Sequence, residues 1–322
     1  MTREGSVRCM TFPAGDGPAL VVHGGAWDIP ASEWASHEDG LRAALRLGAD
    51  LLRDGAAAVD VVTEVVARME AHGAFDAGRG SVLTRQGHVE MDAGIMCGRR
   101  AAYGAAALLR ETVHPIRLAR HLLEADRALL RFAAGPEADR MARRFGLRTE
   151  PNGWFVCGRE AARHAEIARR QRDYHTSQPF HGGAMPRGTV GAVARDTQGH
   201  MAAATSTGGT PFRPEGRIGD TPLPGCGFFA DHLAAASATG WGEAISASLL
   251  CGRAVMDARS PLDAARAQIQ DMYDRIPAPA GAGATGGVIL LTARAGGAVA
   301  WSTPRMARAA WCSEGTSFLV VD

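Results

Sequence analysis

The chain holds 322 residues, 46% hydrophobic and 21% charged, with 35 basic residues against 34 acidic ones. That length allows one large domain or two modest ones, and a net charge of +1 removes the electrostatic case for nucleic acid or an anionic membrane as partner. The first thirteen residues lack the apolar run of a signal peptide, no stretch is long enough to span a bilayer, and six scattered cysteines form no C-x-x-C pair. These features predict a cytoplasmic protein with free thiols.

Taken in chain order, Pro18 to Val22 reads as a buried strand ending in a tight turn at His23-Gly24-Gly25. Leu41, Ala44, Leu45, Gly48, Leu51 and Leu52 recur at helical spacing, with Ser36 or Asp39 as the N-terminal cap and Gly55 past the end. Val59 to Met69 forms a second helix. A glycine-punctuated turn spans Phe75 to Ser81, and strand-like pieces follow at Ser81 to Thr84 and Val89 to Met91. The stretch from Tyr103 to Leu147, rich in Ala, Leu and Arg, reads as largely helical, as does Gly158 to Tyr174. His175 to Gly188 has little periodicity and reads as an exposed, mobile linker. Thr189 to Arg195 and His200 to Thr207 read as strands joined by a turn at Asp196 to Gly199, a hairpin that returns Thr205 to Thr207 to the side of Thr189. Helices are expected at Ala244 to Met256 and Pro261 to Tyr273, a loop at Gly281 to Gly287, and a last strand pair at Val288 to Thr292 and Val299 to Ser302. Runs of strands and runs of helices, without strict alternation, point to layered sheets covered by helices.

The chemistry concentrates between Gly188 and Glu243. A threonine hydroxyl is a weak nucleophile unless a base adjoins it. If Thr189 became an N-terminus, its own α-amine, titrating near ~8, would lie within reach of its hydroxyl. Taken alone, Thr189 is simply a β-branched residue opening a strand. Thr205-Ser206-Thr207-Gly208-Gly209 adds hydroxyls and glycine N–H groups beside it. Arg217 and Asp220, separated by Ile218 and Gly219, can grip the carboxylate and ammonium of a free amino acid, the plain alternative being an ion pair with each other. Ser237 to Glu243 presents another hydroxyl flanked by glycines, suited to an oxyanion or to capping a helix.

Seven segments resemble, in order and over nearly the whole chain, the plant-type asparaginases and isoaspartyl aminopeptidases, which are N-terminal-nucleophile hydrolases. They are His23 to Trp27, Phe75 to Ser81, Glu90 to Ala93, Gly188 to Ala194, Ala203 to Gly209, Gly216 to Asp220 and Thr239 to Glu243. The resemblance implies a single α+β domain of residues 1–322, an αββα sandwich, cut between Gly188 and Thr189 into chains 1–188 and 189–322. It implies a dimer of such units. It makes Thr189 the nucleophile, Thr207 the hydroxyl that tunes it, and Thr239 with Gly240 the oxyanion site. Arg217, Asp220 and the carbonyl of Gly242 would hold a β-aspartyl substrate, with L-asparagine as a further substrate. No catalytic cofactor is implied, only a structural sodium ion on the backbone carbonyls of Met69, Glu70, His72, Phe75, Ala77 and Arg79.

Two positions depart from the family pattern. Asp76 stands where many relatives have asparagine, and its charge suggests a preference for basic leaving residues, as in β-Asp-Arg or β-Asp-Lys. Trp241 stands where relatives often have a smaller residue, and either narrows the leaving-group side or is simply packed. Competing readings are a glycosylasparaginase-type amidase and a non-cleaving homologue acting as a binding protein.

Overall fold

The computed structural model describes residues 7–13, 15–125, 130–169, 188–278, 283–315 and 317–322. Most of the expected linker, residues 175–187, lies outside that set, as do residues 281 and 282 of the expected loop. Two sheets carry the fold. The larger has eight strands, and its central part contains β2 (Ala19–Trp27), β6 (Val190–Arg195), β7 (Met201–Thr207), β3 (Met91–Cys97) and β4 (Ala102–Leu109) in that spatial order. Its flanks are β12 (Arg305–Cys312) with β13 (Ser317–Val320) on one side and β5 (Phe132–Ala134) on the other. The smaller sheet runs β1 (Arg8–Phe12), β11 (Gly297–Trp301), β10 (Gly286–Thr292), β9 (Ala234–Gly240), β8 (Phe228–Ala230).

Helices α1 (Ala31–Arg53), α2 (Ala58–His72) and α3 (Pro115–Glu124) cover the larger sheet. Helices α7 (Leu250–Met256) and α8 (Pro261–Arg275) cover the smaller one, and the two sheets pack face to face. The result is the expected αββα sandwich. The remaining α-helices of the described residues are α4 (Gly135–Arg144), α5 (Gly158–Arg169) and α6 (Gly242–Ser248). No helix among the described residues is long and apolar enough to cross a membrane.

The central strands are buried on both faces, so they read as continuous apolar runs. Alternation still sorts them. Val21, Val193 and Ala203 meet Phe228, Ile289, Leu291 and Val299 between the sheets. Leu20, Val22, Ala192 and Ala204 share a cluster with Leu41, Val61 and Val65 of the helices.

The structure corrects several sequence expectations. Strand β2 continues through His23, Gly24 and Gly25, where a turn was expected. Helix α1 begins at Ala31, so Ser36 and Asp39 lie within it and cap nothing. The opening of the supposed helical stretch after Tyr103 is strand β4. Its alanines pair with β3, and Gly104 lets α3 approach so closely that a Cβ there would overlap the Ala119 carbonyl. Tertiary pairing overrides alanine's helical preference. The helix expected from Ala244 to Met256 breaks at Leu249, which adopts φ +51°. Strands β1, β5, β8, β9, β12 and β13 were not anticipated, nor was most of β3.

One end of the sandwich is closed by a buried cation. Arg195, fully buried at the end of β6, donates to the carbonyls of Gly15, Gly17, Thr292 and Ala293 at 2.5–3.0 Å. The planar guanidinium ties the N-terminal segment to the end of β10 as a metal ion would. Replacing it with apolar Met strands these carbonyls. Arg195→Met is therefore expected to lower unfolding stability by about 3 kcal/mol or more in a urea titration.

Candidate active site

The opposite end of the sandwich gathers the candidate residues. Antiparallel pairing of β6 with β7 sets Val190 opposite Ser206, which puts Thr189 beside Thr207. The Thr189 hydroxyl donates to Thr207 Oγ1 at 3.0 Å, and the Gly209 N–H donates to the same oxygen at 3.0 Å. Both threonines are buried. Gly188, expected at the tip of an exposed linker, is itself buried against Gly25, where a Cβ on either glycine would overlap the other backbone. This close approach presses the Gly188–Thr189 peptide onto β2. The next residue along, Ala26, donates its N–H to Thr239 Oγ1 at 3.3 Å. Thr239, at the end of β9, is thereby held on the far side of the same strand. Gly240 follows it, paired with Gly286 and at φ +138°, where a side chain would also overlap Gly286.

Behind Thr189 lies a chain of buried polar groups that sequence reasoning did not assemble. His23 Nδ1 is 3.0 Å from the Thr189 carbonyl. A carbonyl only accepts, so Nδ1 carries the proton. Nε2 then accepts from the Ser237 hydroxyl at 2.9 Å in the neutral ring. Thr205 Oγ1, with one proton to give, lies 2.6 Å from Ser237 Oγ and 2.9 Å from the Gly227 carbonyl and donates to one of them at a time. Gly191 has no side chain because a Cβ there would strike both Ser237 and His23. Burial pushes the His23 imidazole down to about 3, so it stays neutral.

Arg217, Asp220 and Gly242 come together. Gly242 abuts both side chains: a Cβ there would lie 2.7 Å from Arg217 Nη2 and 2.8 Å from Asp220 Oδ1. Arg217 does not pair with Asp220. Its Nε and Nη2 donate to Glu243 at 2.9 Å each. Asp220 is buried with Oδ2 lacking a hydrogen-bond partner among the described residues, and burial pushes its carboxyl up to about 7. Asp220 is tied to the hydroxyl chain because its carbonyl accepts from Gly227 N–H, whose own carbonyl receives Thr205. The loop carrying Arg217 is anchored by Glu90, whose Oε2 accepts from Gly216 N–H at 3.0 Å.

Arg213 links the two halves. It is buried and donates to the carbonyls of Gly208 and Glu90 at 2.5 and 2.7 Å. Asp92, opposite Thr207 in the β3–β7 register, stands near enough to Arg213 and Arg217 to interact electrostatically with both. Asp76 sits on the other side of this segment. Its carbonyl accepts from Gly208 N–H at 3.0 Å and its Oδ1 from Val82 N–H at 3.0 Å. The carboxyl is fully buried, and burial pushes it up to about 8.

A model of the family described as asparaginase matches residues 16–320. The chain belongs to the asparaginase family. Among similar members, the isoaspartyl peptidase/L-asparaginase of Danio rerio is 42% identical over 71% of this chain and 72% of its own length. The enzyme of the same name from Xenopus laevis is 36% identical over 91% of this chain and 92% of its own. The plant-type L-asparaginase of Pyrobaculum calidifontis is 39% identical over 90% and 95%.

Within this asparaginase-family chain, the loop expected to hold a cation closes on the end of α2. Gly73, Gly78 and Gly80 all adopt positive φ. A Cβ on Gly78 would lie 2.5 Å from the Glu70 carbonyl oxygen, and one on Gly80 would lie 2.9 Å from those of Gly73 and Phe75. Carbonyls of the expected set, those of Glu70 and Phe75, thus line this turn at the end of α2, and oxygen donors of that kind suit a hard cation. The Glu70 carbonyl also accepts from Arg79 N–H at 2.9 Å.

The neutral, buried imidazole gives a direct check. The His23 ring resonances, assigned by their loss in His23→Gln, are expected to stay flat in NMR spectra from pH 8 to 5. A midpoint near 6 would contradict the hydrogen-bond assignment.

Proposed function

We propose that this protein is a threonine hydrolase that cuts its own chain between Gly188 and Thr189 and then hydrolyses β-aspartyl dipeptides and L-asparagine. The observation that carries the reading is the placement of the Thr189 hydroxyl, 3.0 Å from Thr207 Oγ1, at the same end of the sandwich as two substrate arms that do not pair with each other. Family membership and the names of the relatives support it.

In the cleavage, Thr189 Oγ attacks the Gly188 carbonyl, the acyl group moves from nitrogen to oxygen, and water hydrolyses the resulting ester. The products are chain 1–188, chain 189–322 and a free α-amine on Thr189. In turnover, that amine takes the hydroxyl proton as Oγ attacks the β-carbonyl of an aspartyl unit. The proton passes to the leaving amine. Water then releases aspartate from the ester. Thr239 suits the oxyanion: its oxygen already accepts from Ala26, so its own proton is available to donate. Arg217 takes the α-carboxylate, with Asp220 and the Gly242 carbonyl taking the α-ammonium. This fixes the β-carbonyl over Thr189.

The charge argument for a basic leaving residue weakens. Asp76 is fully buried behind Gly208, so its carboxyl meets no leaving group. Asp76→Asn is expected to leave the turnover ratio of β-Asp-Arg to β-Asp-Leu within about twofold of wild type. A ratio that collapses toward β-Asp-Leu would restore the charge reading.

A structural sodium ion on the loop from Met69 to Arg79, and assembly as a dimer of cleaved units, belong to the same proposal. A cytoplasmic location does too, supported by six unpaired cysteines.

The functional test is a β-Asp-Leu hydrolysis assay. Wild type is expected to turn over, and Thr189→Ala to lose at least about 10³-fold in kcat. Binding needs Asp220 ionised, so kcat/KM is expected to fall as pH drops below about 7. Wild-type inactivity on β-Asp-Leu and L-asparagine alike would overturn the reading.

A further inference from the structure

Arg217 and Asp220 carry opposite charges and flank the same point beside Gly242. Two such groups, each lacking another partner, close on one another. They do not do so here. Glu243, in the first turn of α6, offers Arg217 a fork: Oε1 accepts from Nε and Oε2 from Nη2, both at 2.9 Å. A bidentate guanidinium–carboxylate pair outcompetes a single misaligned contact. It also uses one edge of the guanidinium and leaves the Nη1 end open, beside Gly219, where a Cβ would come within 2.8 Å. Asp220 Oδ2 has no hydrogen-bond partner among the described residues.

Glu243 is itself braced. Burial opposes its charge, yet the hydrogen bonds from Arg217 hold its carboxyl below the ordinary range.

We infer that Glu243 is a positioning residue that keeps Arg217 apart from Asp220 and turns its open edge to the substrate's α-carboxylate. Glu243 also cancels the charge of Arg217, so a simple anion gains little at this point. A zwitterion that engages Arg217 and Asp220 together gains most. The selectivity conferred is for substrates with a free amino-acid end. The inference rests on the reading of Arg217 and Asp220 as substrate arms.

The test compares β-Asp-Leu with its counterpart carrying an α-carboxamide on the aspartyl unit, using the self-cleaved enzyme. Wild type is expected to favour the carboxylate. In Glu243→Ala, KM for β-Asp-Leu is expected to rise roughly tenfold or more while kcat stays within about threefold. Preference over the carboxamide is expected to fall by the same factor as KM rises. Unchanged KM and preference in Glu243→Ala would overturn the inference and leave the proposed function standing. So would equal losses of kcat on both substrates with a lowered unfolding midpoint, the mark of a merely structural role. Absence of wild-type turnover on either substrate would overturn both.

Discussion

The site depends on the register between β6 and β7. Pairing Val190 with Ser206 sets the Thr189 hydroxyl 3.0 Å from Thr207 Oγ1, and a slip of one residue would turn Thr189 to the opposite face. Burial on both faces enforces that register. Val193 and Ala203 must face the smaller sheet, and Ala192 and Ala204 the helices. The core that folds the protein therefore also aims the hydroxyl, and Arg195 closes the far end of the same strand.

Holding Thr189 in a buried setting requires partners for its backbone. The Thr189 carbonyl is met by His23, which hands the contact on through Ser237 and Thr205 to Gly227. That chain crosses from β2 of one sheet to β9 of the other, so the polar bed of Thr189 is also a seam of the sandwich. Gly227 then passes the connection to Asp220 through a backbone hydrogen bond. Thr189 and Asp220 thus rest on one hydrogen-bonded framework. A half-satisfied buried network is costly, and each of these hydroxyls has a partner.

Much of this was legible in the sequence where the signal was local. The hairpin announced itself by alternating strands about a turn, which placed Thr207 beside Thr189. The Arg217–Asp220 pair stood out by its glycine-spaced motif. What was not legible came from long-range pairing. His23 and Ser237 are 214 residues apart, and nothing in either segment predicts their contact. The role of Glu243 was hidden because Arg217 had an equally plausible partner three residues away. Strand β4 was misread because alanine favours helix in isolation, whereas here it serves as a small residue under α3. Asp76 looked like a charge in the sequence, and its complete burial behind Gly208 comes from long-range packing that the sequence does not announce.

The central claim is that Thr189 gains a free α-amine, and the composition makes that amine easy to count. The chain contains no lysine. An uncut chain therefore carries a single amine, at its own N-terminus. The decisive measurement is amine-reactive labelling of the denatured protein after incubation at neutral pH, read by mass spectrometry. The account predicts two labelled amines per chain, the second on Thr189 at the head of the 189–322 fragment, and one in Thr189→Ala. A single labelled amine in fully active wild-type protein would contradict it.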